Sequence, residues 1–169
     1  MEKIIIIGCP GSGKSVFSNK LKNIINLPLY HLDMIYHKKD GTQISKDEFD
    51  EKLKNILKEE KWIIDGNYQR TLERRLKECD TIFLLDFPTD ICLSSIEKRI
   101  GNKRDDLPWI EEKLDENFKN AVLNFSKVKL PHIYDLLDKY KEGRNIIIFK
   151  TREEADCYIE KMKKQICES

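Results

Sequence analysis

Four runs along the chain carry apolar side chains at nearly every position: residues 4–7, 62–64, Thr81–Leu85 and Asn145–Phe149. A strand with one face in water alternates apolar and polar positions. A strand buried on both faces does not, and parallel sheets are built from the second kind. Residues 27–32 form a fifth, weaker candidate strand.

Between these runs the apolar positions recur at helical spacing. Phe17, Leu21, Ile24 and Ile25 form one stripe, and Phe49, Leu53, Ile56 and Leu57 form another. Ser45 opens the second, with Glu48 three residues on as a capping box. Cys92, Ile96 and Ile100 share a face. Ile110, Leu114, Phe118, Val122 and Phe125 predict one long helix, and Ile133, Leu136, Leu137 and Tyr140 predict another after Pro131. Ala155, Tyr158, Ile159, Met162 and Ile166 predict the last, opened by a capping box at Thr151 and Glu154. Strands alternating with helices imply an α/β fold of parallel strands joined by right-handed crossovers. Ligands of such sheets bind beyond the carboxyl ends of the strands, so chemistry is sought just after each strand.

Directly after the first strand stands Gly8-Cys9-Pro10-Gly11-Ser12-Gly13-Lys14-Ser15, which matches G-x-x-x-x-G-K-[ST] at every fixed position. A strand precedes it, and an amphipathic helix beginning with Val16 and Phe17 follows. In this motif backbone N–H groups turn inward toward phosphates, and the helix N-terminus adds about half a positive charge. Lys14 is placed to reach the β- and γ-phosphates, and the Ser15 hydroxyl to hold Mg²⁺. Residues 8–16 are therefore the expected nucleotide-binding stretch. Cys9 within it reads either as a reactive thiol or as a tolerated small side chain.

Three carboxylates end or follow the second, third and fourth strands: Asp33, Asp65 and Asp86. Phosphoryl transfer needs an acceptor hydroxyl that is oriented and deprotonated, and Mg²⁺ needs a carboxylate directly or through water. Asp33 is the candidate for the first role and Asp65 for the second, alongside Ser15; the alternatives are the exchanged assignment and, for each, a plain turn. Asp86 precedes Phe87 and Pro88 and reads as a cap or turn residue. His31 and His37 flank Asp33 without metal-ligand spacing. Arg99 and Arg104 are candidates for neutralising the phosphoryl group in flight; the alternative is a cation pair near a helix C-terminus. Arg74 and Arg75 read as a solvated face.

Composition narrows the setting. The 169 residues are 40% hydrophobic and 36% charged, which fits one domain with one core. A net charge of +1 removes the global basic footprint of a nucleic-acid binder. Five cysteines, an odd number with no C-x-x-C pair, argue against a disulfide framework or a zinc site and fit a reducing cytoplasm. The apolar run at 4–7 is too short for a signal peptide or a membrane span.

With these residues in hand, the chain resembles the adenylate-kinase-related P-loop kinases and, more narrowly, the bacterial FlaR-like topology-modulation proteins. The narrower likeness rests on Leu29–Asp33, on Trp62–Tyr68, on Asp86-Phe87-Pro88, on Arg99 with Arg104, and on Lys150–Glu154. It implies a three-layer P-loop NTPase fold, a five-stranded parallel sheet in the order 2-3-1-4-5 with helices on both faces. It further implies ATP and Mg²⁺ as cofactors, an acceptor-binding insertion near residues 34–60 and a lid near 101–130. Lys14, Asp33, Arg99 and Arg104 are then the catalytic residues, and Arg152 lies in the stretch that packs on adenine. Asp33, Asp65, Gly66, Asn67, Tyr68 and Arg70 are the acceptor-binding ones. Relative to nucleoside monophosphate kinases, Arg70 stands one position late and the segment lacks a proline. That departure puts a hydroxyl-bearing acceptor held by Asp33 at least on a level with a nucleoside monophosphate. The resemblance equally admits a regulatory ATP-binding protein that acts on DNA or a DNA-associated partner, or a module that binds nucleotide without turnover.

Overall fold

The computed structural model describes residues 1–167, the side chains of 166 and 167 excepted. The Ile166 position of the last stripe and the Cys167 thiol therefore lie outside the described residues. Five strands form one parallel sheet in the order β2-β3-β1-β4-β5. They are β1 (Lys3–Gly8), β2 (Leu29–His31), β3 (Trp62–Asp65), β4 (Thr81–Leu85) and β5 (Asn145–Phe149). The order expected from the resemblance is the observed one.

The consecutive apolar runs mark the sheet's centre. Ile4 to Ile7, Trp62 to Ile64 and Ile82 to Leu84 are all 0% exposed. Each such side chain contributes about 1.5–3 kcal/mol relative to exposure, which is why the central strands carry no polar alternation. β5 lies at the edge, and its Ile148 reaches solvent.

The helices follow from the crossovers. α1 (Lys14–Ile25) carries the chain from β1 toward the β2 edge, whereas the later connections run toward β5. Right-handed crossovers in opposite directions place helices on opposite faces. α1 packs against α9 (Arg152–Cys167) on one face, and α3 (Lys46–Leu57) packs against α4 (Gln69–Glu78) on the other. The N-cap half of each expected box forms: the Glu48 amide donates to Ser45 Oγ at 3.1 Å and the Glu154 amide to Thr151 Oγ1 at 3.2 Å, while the two carboxylates go instead to Lys52 and to the Lys150 amide. Between α4 and β5 lie β4 and the helices α5 (Thr89–Arg99), α6 (Glu116–Leu123), α7 (Phe125–Val128) and α8 (Leu130–Lys139).

Two expectations change. The stripe starting at Ile110 does not make one helix: α6 begins only after Asp115, whose carboxylate accepts from the Phe118 amide at 2.8 Å. Residues 100–115 are irregular, with Pro108 inside them and Ile110 in solvent. Asp33 does not end a strand either; it sits in the first turn of α2 (Leu32–Tyr36). β2 pairs with β3 only as far as His31 opposite Asp65, where β3 itself ends, so the chain has no further ladder and coils into a helix.

Candidate active site

The order of connections switches direction between β1 and β3, so a crevice opens at their carboxyl ends. The loop at 8–14 enters it with backbone that only glycine tolerates. A Cβ on Gly8, at φ 150°, would stand 2.4 Å from the Leu85 carbonyl oxygen. One on Gly11, at φ 85°, would stand 2.2 Å from the Cys92 carbonyl oxygen. Gly13 caps α1 with no side-chain bond to the helix's first amides, and nothing lies within 4 Å of where its Cβ would be. Free amides facing open space at a helix N-terminus suit a phosphate. Lys14 Nζ lies back on the carbonyls of Gly8 and Cys9, at 3.0 and 3.1 Å.

The Cys9 side chain is buried beside Cys92, and that neighbour together with desolvation holds its thiol well above the usual range. Cys9 is thus a buried neutral thiol, and the reactive reading of it falls away.

The β3–α4 loop is tied to the phosphate loop. Asn67 accepts from the Gly8 amide at 3.0 Å and donates to the Gly8 carbonyl at 2.7 Å. Beneath it lies Arg75, which the sequence places on a solvated face but which is 0% exposed. Its guanidinium donates to Gly66 O at 2.7 Å, to Asn67 O, and to Tyr68 O at 3.2 Å. Burial pushes it down to about 9. Gly66 O and Asn67 O belong to no strand ladder or helix, and Tyr68 O also accepts from the Thr71 amide of α4 at 2.9 Å; a guanidinium fork is the side chain that reaches all three.

Tyr68 adopts φ 32° and ψ 66°, a region bulky side chains rarely enter and one that clusters at functional sites. Its hydroxyl donates to Asp33 Oδ1 at 2.7 Å. Burial raises the Asp33 carboxyl above its ordinary range; the Tyr68 hydrogen bond opposes this, and the Asp65 charge adds to it. Asp65 is 4% exposed and meets His31 Nδ1 at 2.8 Å, while its other oxygen has no partner.

The irregular segment closes over the loop from the other side. Arg99 lies 3.5 Å from Glu111, and Glu111 accepts from Arg104 at 2.7 Å. Arg104 grips Asp106 through Nε at 2.9 Å and Nη2 at 2.6 Å. Asp106 in turn accepts from the Ser15 hydroxyl. Burial works against charge on Asp106, but the bonds from Arg104 and Ser15 outweigh it and hold the carboxyl below its usual range. Burial also lowers Arg99, and the Arg104 charge adds to that effect. Ser15 therefore meets Asp106, a residue that sequence reasoning passed over, rather than Asp65. The one available signal was the acidic pair Asp105-Asp106 following Arg104.

These groups line one cavity of about 820 Å³. It brings together Lys14, Ser15, Val16, Asp33, Asp65, Gly66, Asn67, Tyr68, Arg99, Arg104 and Arg152. Arg152 donates to Ser95 on α5 and approaches Gly11 O at 3.5 Å. Arg70 is not brought in: it forms a bidentate pair with Asp50 of α3 at 2.8 and 2.5 Å, joined by Arg74 at 3.0 Å. A guanidinium at the end of a helical turn facing α3 finds that carboxylate before it finds the crevice. Asp86 does not cap a helix; it accepts from Tyr134 at 2.6 Å and from Lys150.

Among the described residues, no three His, Cys, Asp or Glu side chains converge as a ligand cluster. Mg²⁺ does not require one, since it takes one or two protein oxygens beside phosphates and water. The hydroxyl and carboxylates around Ser15 fit that need. Among the described residues, no helix is long and apolar enough to cross a membrane.

Fold and phosphate loop together define a P-loop protein with a kinase-like fold, and comparisons agree at that level. The family model described as "Chromatin associated protein KTI12" matches residues 1–82. The adenylate kinases of Thermotoga petrophila and Thermotoga maritima are each 28% identical over 88 residues, 51% of this chain and 39% of the relative. The matched part thus spans well under half the length of those relatives. Among solved structures, a shikimate kinase from Acinetobacter baumannii in complex with shikimate superimposes with a TM-score of 0.62 at 18% identity. It covers 99% of this chain and 94% of its own. A shikimate kinase from Bacteroides thetaiotaomicron gives 0.54 at 15% identity, covering 96% and 97%. Such likenesses establish the fold alone.

Proposed function

We propose that the protein is an Mg²⁺-dependent phosphotransferase that moves the γ-phosphate of ATP to a hydroxyl-bearing small molecule in the cytoplasm. One observation carries this reading: Asp33, lifted by burial and aimed by the Tyr68 hydroxyl, lines the same cavity as Lys14 and Ser15. A carboxylate with a raised pKa facing a phosphate loop suits a general base that must both accept and release a proton near neutrality. Residues 8–16 hold the phosphates, with Arg152 at the outer end of the nucleotide. When bound, the nucleotide's Mg²⁺ supplies charge neutralisation on the phosphate oxygens. Asp33 orients the acceptor hydroxyl and takes its proton. Gly66, Asn67 and Tyr68 shape its surroundings. Lys14, Arg99 and Arg104 neutralise the transferring group.

Residues 34–60 form the acceptor side, and the moving part of the 101–130 lid is the irregular stretch 100–115, since Val122 and Phe125 belong to the core. Arg70 is paired away from the cavity and so offers its guanidinium to no acceptor phosphate there, which favours an acceptor other than a nucleoside monophosphate. The narrower topology-modulation assignment stays within the same reading of the site.

Asp33→Asn tests the proposal through three readouts. Turnover should fall by about 10²-fold or more, the scale of general-base loss, with ATP affinity and melting temperature nearly unchanged. Full turnover in a stable variant refutes the role of Asp33. The family match over residues 1–82 supports a second reading, a regulatory nucleotide binder working with a DNA-associated partner. Tight Mg²⁺–ATP binding without transfer to any acceptor would favour it.

A further inference from the structure

We propose that Asp106 is the carboxylate of the Mg²⁺ site: it fixes the Ser15 hydroxyl so that its lone pairs face the cation, and it does so from the lid. The inference rests on the phosphotransferase reading above and assigns its metal side to a residue outside the strand ends.

Three observations carry it. Ser15 Oγ donates its only proton to Asp106 Oδ2 across 91 residues of sequence, which leaves both oxygen lone pairs free. Asp106 is 7% exposed and held by two bonds from Arg104, itself anchored on Glu111. A carboxylate serving a metal is normally oriented by hydrogen bonds of its own in this way. Of the strand-end acids, Asp33 accepts from Tyr68 and Asp65 meets His31 through one oxygen while its other oxygen is unpartnered, and the Ser15 proton goes to neither. Among the described residues, Asp106 supplies the carboxylate in hydrogen-bond contact with Ser15.

Its position has a consequence that a strand-end acid would not have. Asp106 belongs to the irregular segment at 100–115, whose chain of ion pairs runs from Arg99 through Glu111 and Arg104 to Ser15. Asp106 and Ser15, which would hold Mg²⁺, are thus joined through the same segment to the two arginines, so the cation would be held by the closed form of the segment and would supply charge neutralisation there.

The test is calorimetry of ADP binding to the full chain, with Mg²⁺ and with EDTA, in wild type, Ser15→Ala, Asp106→Asn and the double variant. Asp106→Asn should leave metal-free ADP affinity within about threefold and cut the gain from Mg²⁺ by about 10–100-fold. The double variant should lose no more than the larger single loss, because both residues act on one cation. Asp106→Glu keeps the charge and should retain more of the gain than Asp106→Asn; equal losses overturn the proposal. An undiminished gain in Asp106→Asn overturns it as well. So does tighter ADP binding both with and without Mg²⁺, which would make the carboxylate a mere plug on the hydroxyl. A wild type that binds ADP without regard to Mg²⁺ overturns it alone, whereas a wild type that binds no ADP overturns the phosphotransferase reading with it.

Discussion

Replacing Arg75 with methionine removes a fully buried cation of similar length and tests how the β3–α4 loop is held. Three hydrogen bonds go, to the carbonyls of Gly66, Asn67 and Tyr68. Bonds from charged donors are worth about 1.5–3 kcal/mol each, so the loss is about 5–9 kcal/mol. Against it stands the relief of desolvation. Burial pushes the guanidinium well down, to about 9, and keeping it charged there costs about 5 kcal/mol. The difference spans about 0–4 kcal/mol and centres near 2, so Arg75→Met should melt about 4–8 °C lower for a chain of this size. The loop it supports also carries Asn67, clamped to Gly8, and Tyr68 at positive φ. Nucleotide affinity should therefore drop along with stability. Thermal denaturation followed by circular dichroism, with calorimetry of ATP well below the transition, measures both. A variant melting within about 2 °C of wild type, with unaltered affinity, would show that the three carbonyls do not depend on the guanidinium.

Other outcomes follow from the same geometry. Because burial raises the Asp33 carboxyl, the fold favours its protonated form: the stability this gives is fully present at low pH and is lost as pH rises through the folded-state value. The acid limb of the rate–pH profile should accordingly lie above the ordinary carboxylate range and vanish in Asp33→Asn, which should melt no lower than wild type at neutral pH; a limb at the ordinary value would refute this. Gly11→Ala places a Cβ 2.2 Å from the Cys92 carbonyl oxygen at φ 85°; a loss of about 2–4 kcal/mol and of nucleotide binding should show in the same two assays. Arg70→Ala breaks an exposed pair with Asp50 and should cost under about 1 kcal/mol without changing turnover; a hundredfold rate loss would mean that Arg70 does reach the acceptor.

How far the sequence could be read depended on whether a residue's role was local. The double-sided burial of residues 4–7 and the spacing from Gly8 to Ser15 depend on near neighbours alone, so strand, loop and helix could be placed in order. Asp33 and Asp65 were identifiable for a similar reason, each lying close to the end of an apolar run, although β2 stops two residues short of Asp33 because its partner strand ends. Arg75 was misplaced because a cation on a helix is ordinarily solvated, and only the fold shows three strand-less carbonyls beneath it. Asp106 lies 91 residues from its hydroxyl, in a segment with no regular structure, so no periodicity could point to it. Ile110 and Leu114 fell in helical register with Phe118 by coincidence, and the Asp115 cap fixes the true start of α6. Arg70 was legible as a cation near the site, but not as the partner of Asp50 on another helix.

The most direct test is transfer itself. The purified chain is incubated with Mg²⁺ and ATP labelled at the γ-position, together with a fractionated extract of small metabolites, and the fractions are searched for a labelled compound. The expected result is one hydroxyl-bearing metabolite that gains a single phosphoryl group with wild type and gains it far more slowly with Asp33→Asn. Label that stays in ATP, or appears only as inorganic phosphate in every fraction, would contradict the phosphotransferase.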